Sequence, residues 1–210
     1  NPDVILLNEF DSNDESHQSL KLFISQYLAK SQQGENAITY PYFYQGPVNT
    51  GVASGFDFNN DNKIGELPND AFGYGLFSGH FGMALLSKYP IVKDKIRTFQ
   101  LFKWRDMPNA MMPINPETKT SWYNEKAWNN FRLSSKSHWD IPLNVNGEAL
   151  HILASHPTPP VFDGPEDRNG KRNFDEIRFW IDYLTPTAAS YIYDDNNNFG
   201  GLAEDKAFVI

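Results

Sequence analysis

The residues of this chain best suited to chemistry gather around His156. An apolar, strand-forming run from Ala149 to Ala154 delivers Ser155, His156 and Pro157 to a turn. A loop dense in charge follows, carrying Asp163, Glu166, Asp167, Arg168, Asn169, Lys171 and Arg172. A histidine leaving a buried strand beside a basic, glycine-containing loop suits the handling of a phosphate group. Arg168 offers forked donors to phosphate oxygens and Asn169 a neutral donor. The same residues also suit a surface loop laced with ordinary salt bridges, and spacing alone leaves both readings open.

Leu133 to Leu143, LSSKSHWDIPL, offers further groups suited to phosphate. Lys136, His138 and Asp140 enter a strand that the Asn144–Gly147 turn joins to the run at Ala149–Ala154. Antiparallel pairing would place Lys136, His138 and His156 at one end of neighbouring strands. Plain sheet-edge polarity is the alternative. Glu9 stands where the first apolar strand, Val4 to Leu7, gives out, and from there a carboxylate either faces a cleft or is simply solvated.

A third cluster, Asp57, Asn59 and Asp61 in DFNNDNKIG, sets oxygen-bearing side chains at alternating positions, like the first half of a calcium-binding loop. Asn62 occupies the place usual for glycine and tolerates a left-handed turn. Pro68 stands where a bidentate Glu would close an EF-hand, so a full EF-hand is excluded. A partial calcium loop and an Asn/Asp turn cluster both fit.

The elements that must position these groups follow from periodicity. A helix is expected over Asp14–Lys30, with Leu20, Phe23, Ile24, Tyr27 and Leu28 as its apolar stripe. Tyr40 to Gly82 reads as one long structured loop, a length usually reserved for function. Gly82–Ile91 reads as a buried strand. Residues 95–104 read as another, with Ile96, Thr98, Gln100 and Phe102 alternating, and Arg105–Arg132 as turns. A helix is expected after Asn173, capped by it, with Glu176 reaching back and Asp175 at the positive end of the dipole. Phe174, Ile177, Ile181 and Leu184 form its apolar face, and Lys206–Ile210 is a last strand.

Composition bounds the partners. The 210 residues suffice for one sizeable core, treated as a single domain over 1–210. A formal charge of -8 argues against a grip on nucleic acid by general electrostatics and favours small phosphate esters, although a metal can still recruit nucleic acid. With no cysteine, thiol nucleophiles, disulfides and Cys-type zinc sites are excluded. No apolar run approaches the roughly 20 residues of a membrane span.

The order ILLNEF, GMALLSKYPI and a strand ending in His, together with SSKSHWD, SHPTPPVFDGPEDRNGKRN and DEIRFW, resembles the endonuclease/exonuclease/phosphatase superfamily in a bacterial branch. The resemblance covers essentially the whole chain. It implies a four-layer αββα sandwich of mostly antiparallel sheets, and hydrolysis of phosphomonoesters or phosphodiesters, nucleic acid among them, with magnesium or manganese. It further implies that Glu9 is the metal-binding glutamate and His156 the histidine that contacts the scissile phosphate. Lys136, His138, Arg168 and Asn169 fall in segments near that site. The family's Asn-bearing first strand and its Gly-Asp-x-Asn and Ser-Asp-His segments are not in this sequence. The expectation is therefore a sandwich incomplete at both ends, inert when isolated, whose activity belongs to a longer parent. A non-catalytic binding module on the same fold is the competing class. With the calcium loop and the lack of cysteine, the resemblance suggests a secreted or periplasmic home.

Overall fold

The computed structural model describes residues 2–12 and 16–210. Two sheets face each other. In the first, β3 (Met83–Ser87) lies between β1 (Val4–Asn8) and β2 (Tyr42–Tyr44) and is antiparallel to both. In the second, β4 (Arg97–Thr98), β5 (His138–Val145), β6 (Glu148–Ser155) and β7 (Ala207–Val209) lie in that order. Its pairs are antiparallel except β6 with β7, which are parallel.

Period-two alternation builds the centre. Trp139, Ile141 and Leu143 of β5, with Ile152 and Ala154 of β6, meet Met83 and Leu85 of β3 in one core. Trp139 is fully buried, and its truncation to Ala would cost about 3–5 kcal/mol. The alternate residues face outward and are covered by helices. α1 (Gln18–Leu22), continued by π-helical turns over Phe23–Leu28, lays Leu20 on Ala84 and Leu86. α3 (Arg168–Tyr183) lays Phe179, Trp180 and Tyr183 against Phe99, Phe102 and Leu153. The result is the αββα sandwich. Among the described residues no helix is long and apolar enough to cross a membrane.

The β5–β6 hairpin turns through Asn146 and Gly147, both at positive φ (55° and 96°), as a tight hairpin turn requires. This sets the register His138↔Ser155 and fixes which residues reach the end of the sheet.

Several expected elements differ. The start of the Asp14–Lys30 helix, at Asp14 and Glu15, lies outside the described residues; within them Leu20, Phe23, Ile24 and Leu28 pack, while Tyr27 is exposed. The strand expected over 95–104 is ordered as a strand only at Arg97–Thr98. Past Thr98 the Asp195 carboxylate accepts the N–H groups of Gln100 (3.1 Å) and Leu101 (2.7 Å), taking them from any ladder. Phe99 and Phe102 are both fully buried, so the burial does not alternate. The stretch expected as turns contains a short helix, α2 (Glu125–Asn130), whose cap Asn124 accepts the Ala127 N–H at 2.9 Å.

α3 departs most. It begins at Arg168, before Asn173, and its apolar stripe faces outward, with Phe174, Ile177 and Ile181 55, 51 and 61% exposed. The buried face instead carries Arg172, Asp175 and Glu176 beside the aromatics. These charged groups find partners, although Asp175 Oδ1 has only the Arg178 guanidinium at 3.1 Å and no hydrogen bond among the described residues. Asp175 Oδ2 accepts from Trp104 Nε1 (2.6 Å) and the Met111 N–H (2.7 Å), and Arg172 donates to the carbonyls of Leu133, Phe72 and Arg132. Hydrogen bonds of this kind make burial of charged side chains tolerable.

Candidate active site

The ends of β1 and β6 converge. Glu9 follows β1 in a left-handed conformation (φ 59°), and His156 follows β6. His156 Nε2 lies 4.0 Å from Glu9 Oε1.

The backbone around His156 is fastened on every side. Trp180 Nε1 donates to Ser155 Oγ at 2.9 Å, and Ser135 Oγ donates to the His156 carbonyl at 3.3 Å. Glu176, buried on α3, accepts the Ser135 N–H (2.7 Å) with one oxygen and the Thr158 N–H (2.6 Å) with the other. Asn173 Nδ2 donates to the Thr158 carbonyl at 2.7 Å. Glu176 and Asn173, expected as a helix capping pair, thus clamp the segments before β5 and after β6 onto α3. A short DEIRFW run reads as helix start; only the tertiary fold shows that its carboxylate reaches two other segments.

Lys136 lies in the clamped segment before β5, 7% exposed, and its ammonium makes no hydrogen bond or ion pair among the described residues. Burial pushes its ammonium pKa below 10.5, with Arg172 adding to the shift and Glu176 and Glu9 opposing it. His156 is held below 6.5, by burial first and then by the Lys136 cation, against the pull of Glu9 and Glu176. Its Nδ1 is buried with no hydrogen-bond partner among the described residues, while Nε2 faces Glu9. The free imidazole is therefore neutral near pH 7, and the arrival of an anion favours its protonated, donating form.

His138 does not join this group. The ring is fully buried, packed 4.6 Å from Phe179 and 5.0 Å from Trp180. Its Nε2 donates to the Glu176 carbonyl at 2.8 Å, which leaves Nδ1 to accept from Ser134 Oγ. Both nitrogens are spent, so the expectation that it touches substrate is corrected to a core histidine. Its place in the strand explains this, because the face of β5 opposite Trp139 is the one that α3 covers.

Arg168 and Asn169 are engaged in shaping the loop. Arg168 pairs with buried Glu166 and stacks over Trp122 at 5.8 Å. Asn169 donates through its N–H to Asp163 Oδ2 (2.6 Å) and through Nδ2 to the Val161 carbonyl (2.7 Å). These bonds hold the start of α3, and the structure gives neither residue a contact with Glu9 or His156.

The DFNNDNKIG loop folds on its own backbone. Asp57 accepts the N–H groups of Asp61 (3.2 Å) and Asn62 (2.9 Å), Asn59 that of Asp61 (3.2 Å), and Asp61 that of Lys63 (2.9 Å). Asn60 and Asn62 supply the left-handed turns. The oxygens expected to ligate calcium close Asx turns instead, and the arrangement is a turn cluster.

Among the described residues no group of three or more His, Asp or Glu side chains is placed to hold a metal ion. Glu9 fits a less enclosed role. Its carboxylate is 61% exposed and has no hydrogen-bond donor among the described residues. Magnesium keeps several waters and binds through one or two carboxylates plus substrate phosphate, so one open carboxylate beside a phosphate site suits it.

The endonuclease/exonuclease/phosphatase family model matches residues 1–209. No curated protein and no solved structure matches the chain.

Proposed function

Since the chain belongs to the endonuclease/exonuclease/phosphatase family, whose members hydrolyse phosphoesters with divalent metal ions, we propose that Glu9, His156 and Lys136 form its catalytic face for small phosphate esters. The observation that carries this reading is the convergence of an open carboxylate, a strand-end imidazole 4.0 Å from it and a nearly buried ammonium, at the mouths of two sheets. The Lys136 ammonium forms no ion pair among the described residues. An incoming phosphate gives it the partner it lacks.

The roles follow from chemistry. Hydrolysis transfers phosphorus from the ester oxygen to water, so charge must be stabilised on the phosphoryl oxygens and a proton delivered to the leaving oxygen. Lys136 supplies a fixed positive charge in a desolvated place, where it acts more strongly than in water. His156 takes a proton as the phosphate dianion arrives and donates through Nε2 to a phosphoryl or leaving oxygen. The Ser135, Thr158 and Trp180 hydrogen bonds hold its backbone, so it needs little reorganisation. A divalent cation, magnesium or manganese, held at Glu9 supplies further neutralisation of phosphoryl charge when bound. The charge of -8 supports compact esters over long nucleic acid.

The test is turnover of aryl phosphate mono- and diesters by the protein in its natural length, with magnesium added or chelated. Hydrolysis that needs the metal and both Glu9 and His156 supports the reading. Hydrolysis indifferent to all three contradicts it.

A further inference from the structure

A second cationic cavity is tied to this site through Asn49. That residue is fully buried; its N–H donates to the Lys136 carbonyl at 2.8 Å, and its Nδ2 donates to the carbonyls of Gln100 and Ser134 at 2.8 Å each. Its Oδ1 is thereby aimed at Arg132, accepting from Nη1 at 2.7 Å. The guanidinium also lies 4.1 Å from the centre of the Phe72 ring. Asn49 engages one of its five donors.

Beside it opens a cavity of about 250 Å³, whose walls include Ser54, Phe72, Leu101, Lys103, Asn130 and Arg132. Among the described residues no carboxylate lines it. Neither Lys103 nor Arg132 forms an ion pair among the described residues. Asp195 is the acidic group whose field reaches Arg132, but its oxygens already accept from Thr98 Oγ1, Gln100 N and Leu101 N. In a chain of net charge -8, two cations in one cavity with no ion pair among the described residues form a local exception. The volume falls below the roughly 300–1,000 Å³ of sites for larger organic ligands, so the cavity suits one small anionic group.

We propose that this cavity is a second phosphate subsite, which binds an additional phosphoryl group of a substrate whose scissile ester lies at Glu9 and His156. The substrate class is then an ester with at least two phosphates. The ligand chemistry rests on the phosphoesterase reading; the cavity's charge does not. Arg132 offers planar paired donors and Lys103 a mobile point charge, a combination that fits a phosphoryl dianion. Ser54 and Asn130 add neutral hydrogen-bonding groups.

The test is a titration of the isotopically labelled protein with inorganic phosphate, followed by NMR, in a chelating buffer that removes divalent cations. The expected result is saturable movement of the Ser54, Leu101 and Lys103 amides, retained in His156→Ala and Glu9→Ala. Lys103→Gln should weaken it about tenfold, and Asn130→Asp, which sets a carboxylate in the wall, should abolish it. Cavity amides that do not move overturn the subsite. So does movement unchanged in both cavity variants, or lost in His156→Ala. Turnover without cavity binding removes the subsite alone. Cavity binding without turnover removes the catalytic reading and leaves a phosphate site.

Discussion

His156 Nε2 stands 4.0 Å from Glu9 Oε1, although the two residues follow strands of different sheets. The relationship exists because the sheets are stacked with the ends of β1 and β6 on one side, and because α3 fixes the segments that flank His156. His156→Ala is expected to lower kcat by about a hundredfold or more and to leave the fold intact, since the ring makes no hydrogen bond among the described residues. Steady-state kinetics with an activated and an unactivated ester, alongside thermal denaturation, checks both halves. A larger loss on the unactivated ester identifies the imidazole as donor to the leaving oxygen.

Lys136 should behave as a group kept for function at a cost in stability. Its ammonium is buried without an ion pair among the described residues, so Lys136→Met removes a desolvated charge while keeping most of the packing. The variant is expected to gain about 1 kcal/mol in urea denaturation and to lose affinity for the ester. A loss of both stability and affinity would make Lys136 a structural cation.

His138 sets a pH dependence of stability. Burial holds its pKa below 6.5 in the folded protein, so between the folded and unfolded values the unfolded chain binds more protons. Its contribution is complete above about pH 6.5 and is lost as the pH falls from there towards the folded value. His156 shifts in the same direction, so the His138 share is read from a variant. In His138→Gln, the fall of melting temperature between neutral and mildly acidic buffer should be shallower than in the wild type. An unchanged slope would place the titration elsewhere.

The Asp57–Asp61 loop predicts an absence of response. Its side-chain oxygens already accept four backbone N–H bonds, so ordering it requires no cation. Melting temperatures in millimolar calcium and in excess chelator are expected to coincide. A rise with calcium that Asp57→Ala removes would restore the loop as an ion site.

The parts legible in the sequence were those governed by local chemistry. Apolar runs marked β3 and β6, and the Asn-Gly turn fixed the hairpin that pairs β6 with β5 and places Lys136 beside the start of His156's segment; the alternation read over 95–104 survived as strand only at Arg97–Thr98. Glu9 and His156 were legible as strand-end residues. α3 was legible as a helix but not in orientation: Phe174, Ile177 and Ile181 look like a core face, yet the buried face is the one whose Arg172, Asp175 and Glu176 find partners far along the chain. Hydropathy counts the cost of burying charge and cannot see the bonds that offset it. The same blindness made His138 look like a site residue and hid Glu176, Asn49 and Arg132, whose roles depend on contacts between distant segments.

The most direct test of the Glu9–His156 site is the magnesium dependence of phosphoester turnover in the wild-type protein, in its natural length, and in Glu9→Gln. That substitution keeps the side chain's size and removes its charge. Chelation is expected to stop the wild-type reaction and magnesium to restore it, whereas Glu9→Gln needs far more magnesium for far less turnover, with its melting temperature unchanged because Glu9 is mostly exposed. Equal turnover by wild type and Glu9→Gln at every magnesium concentration would contradict this expectation.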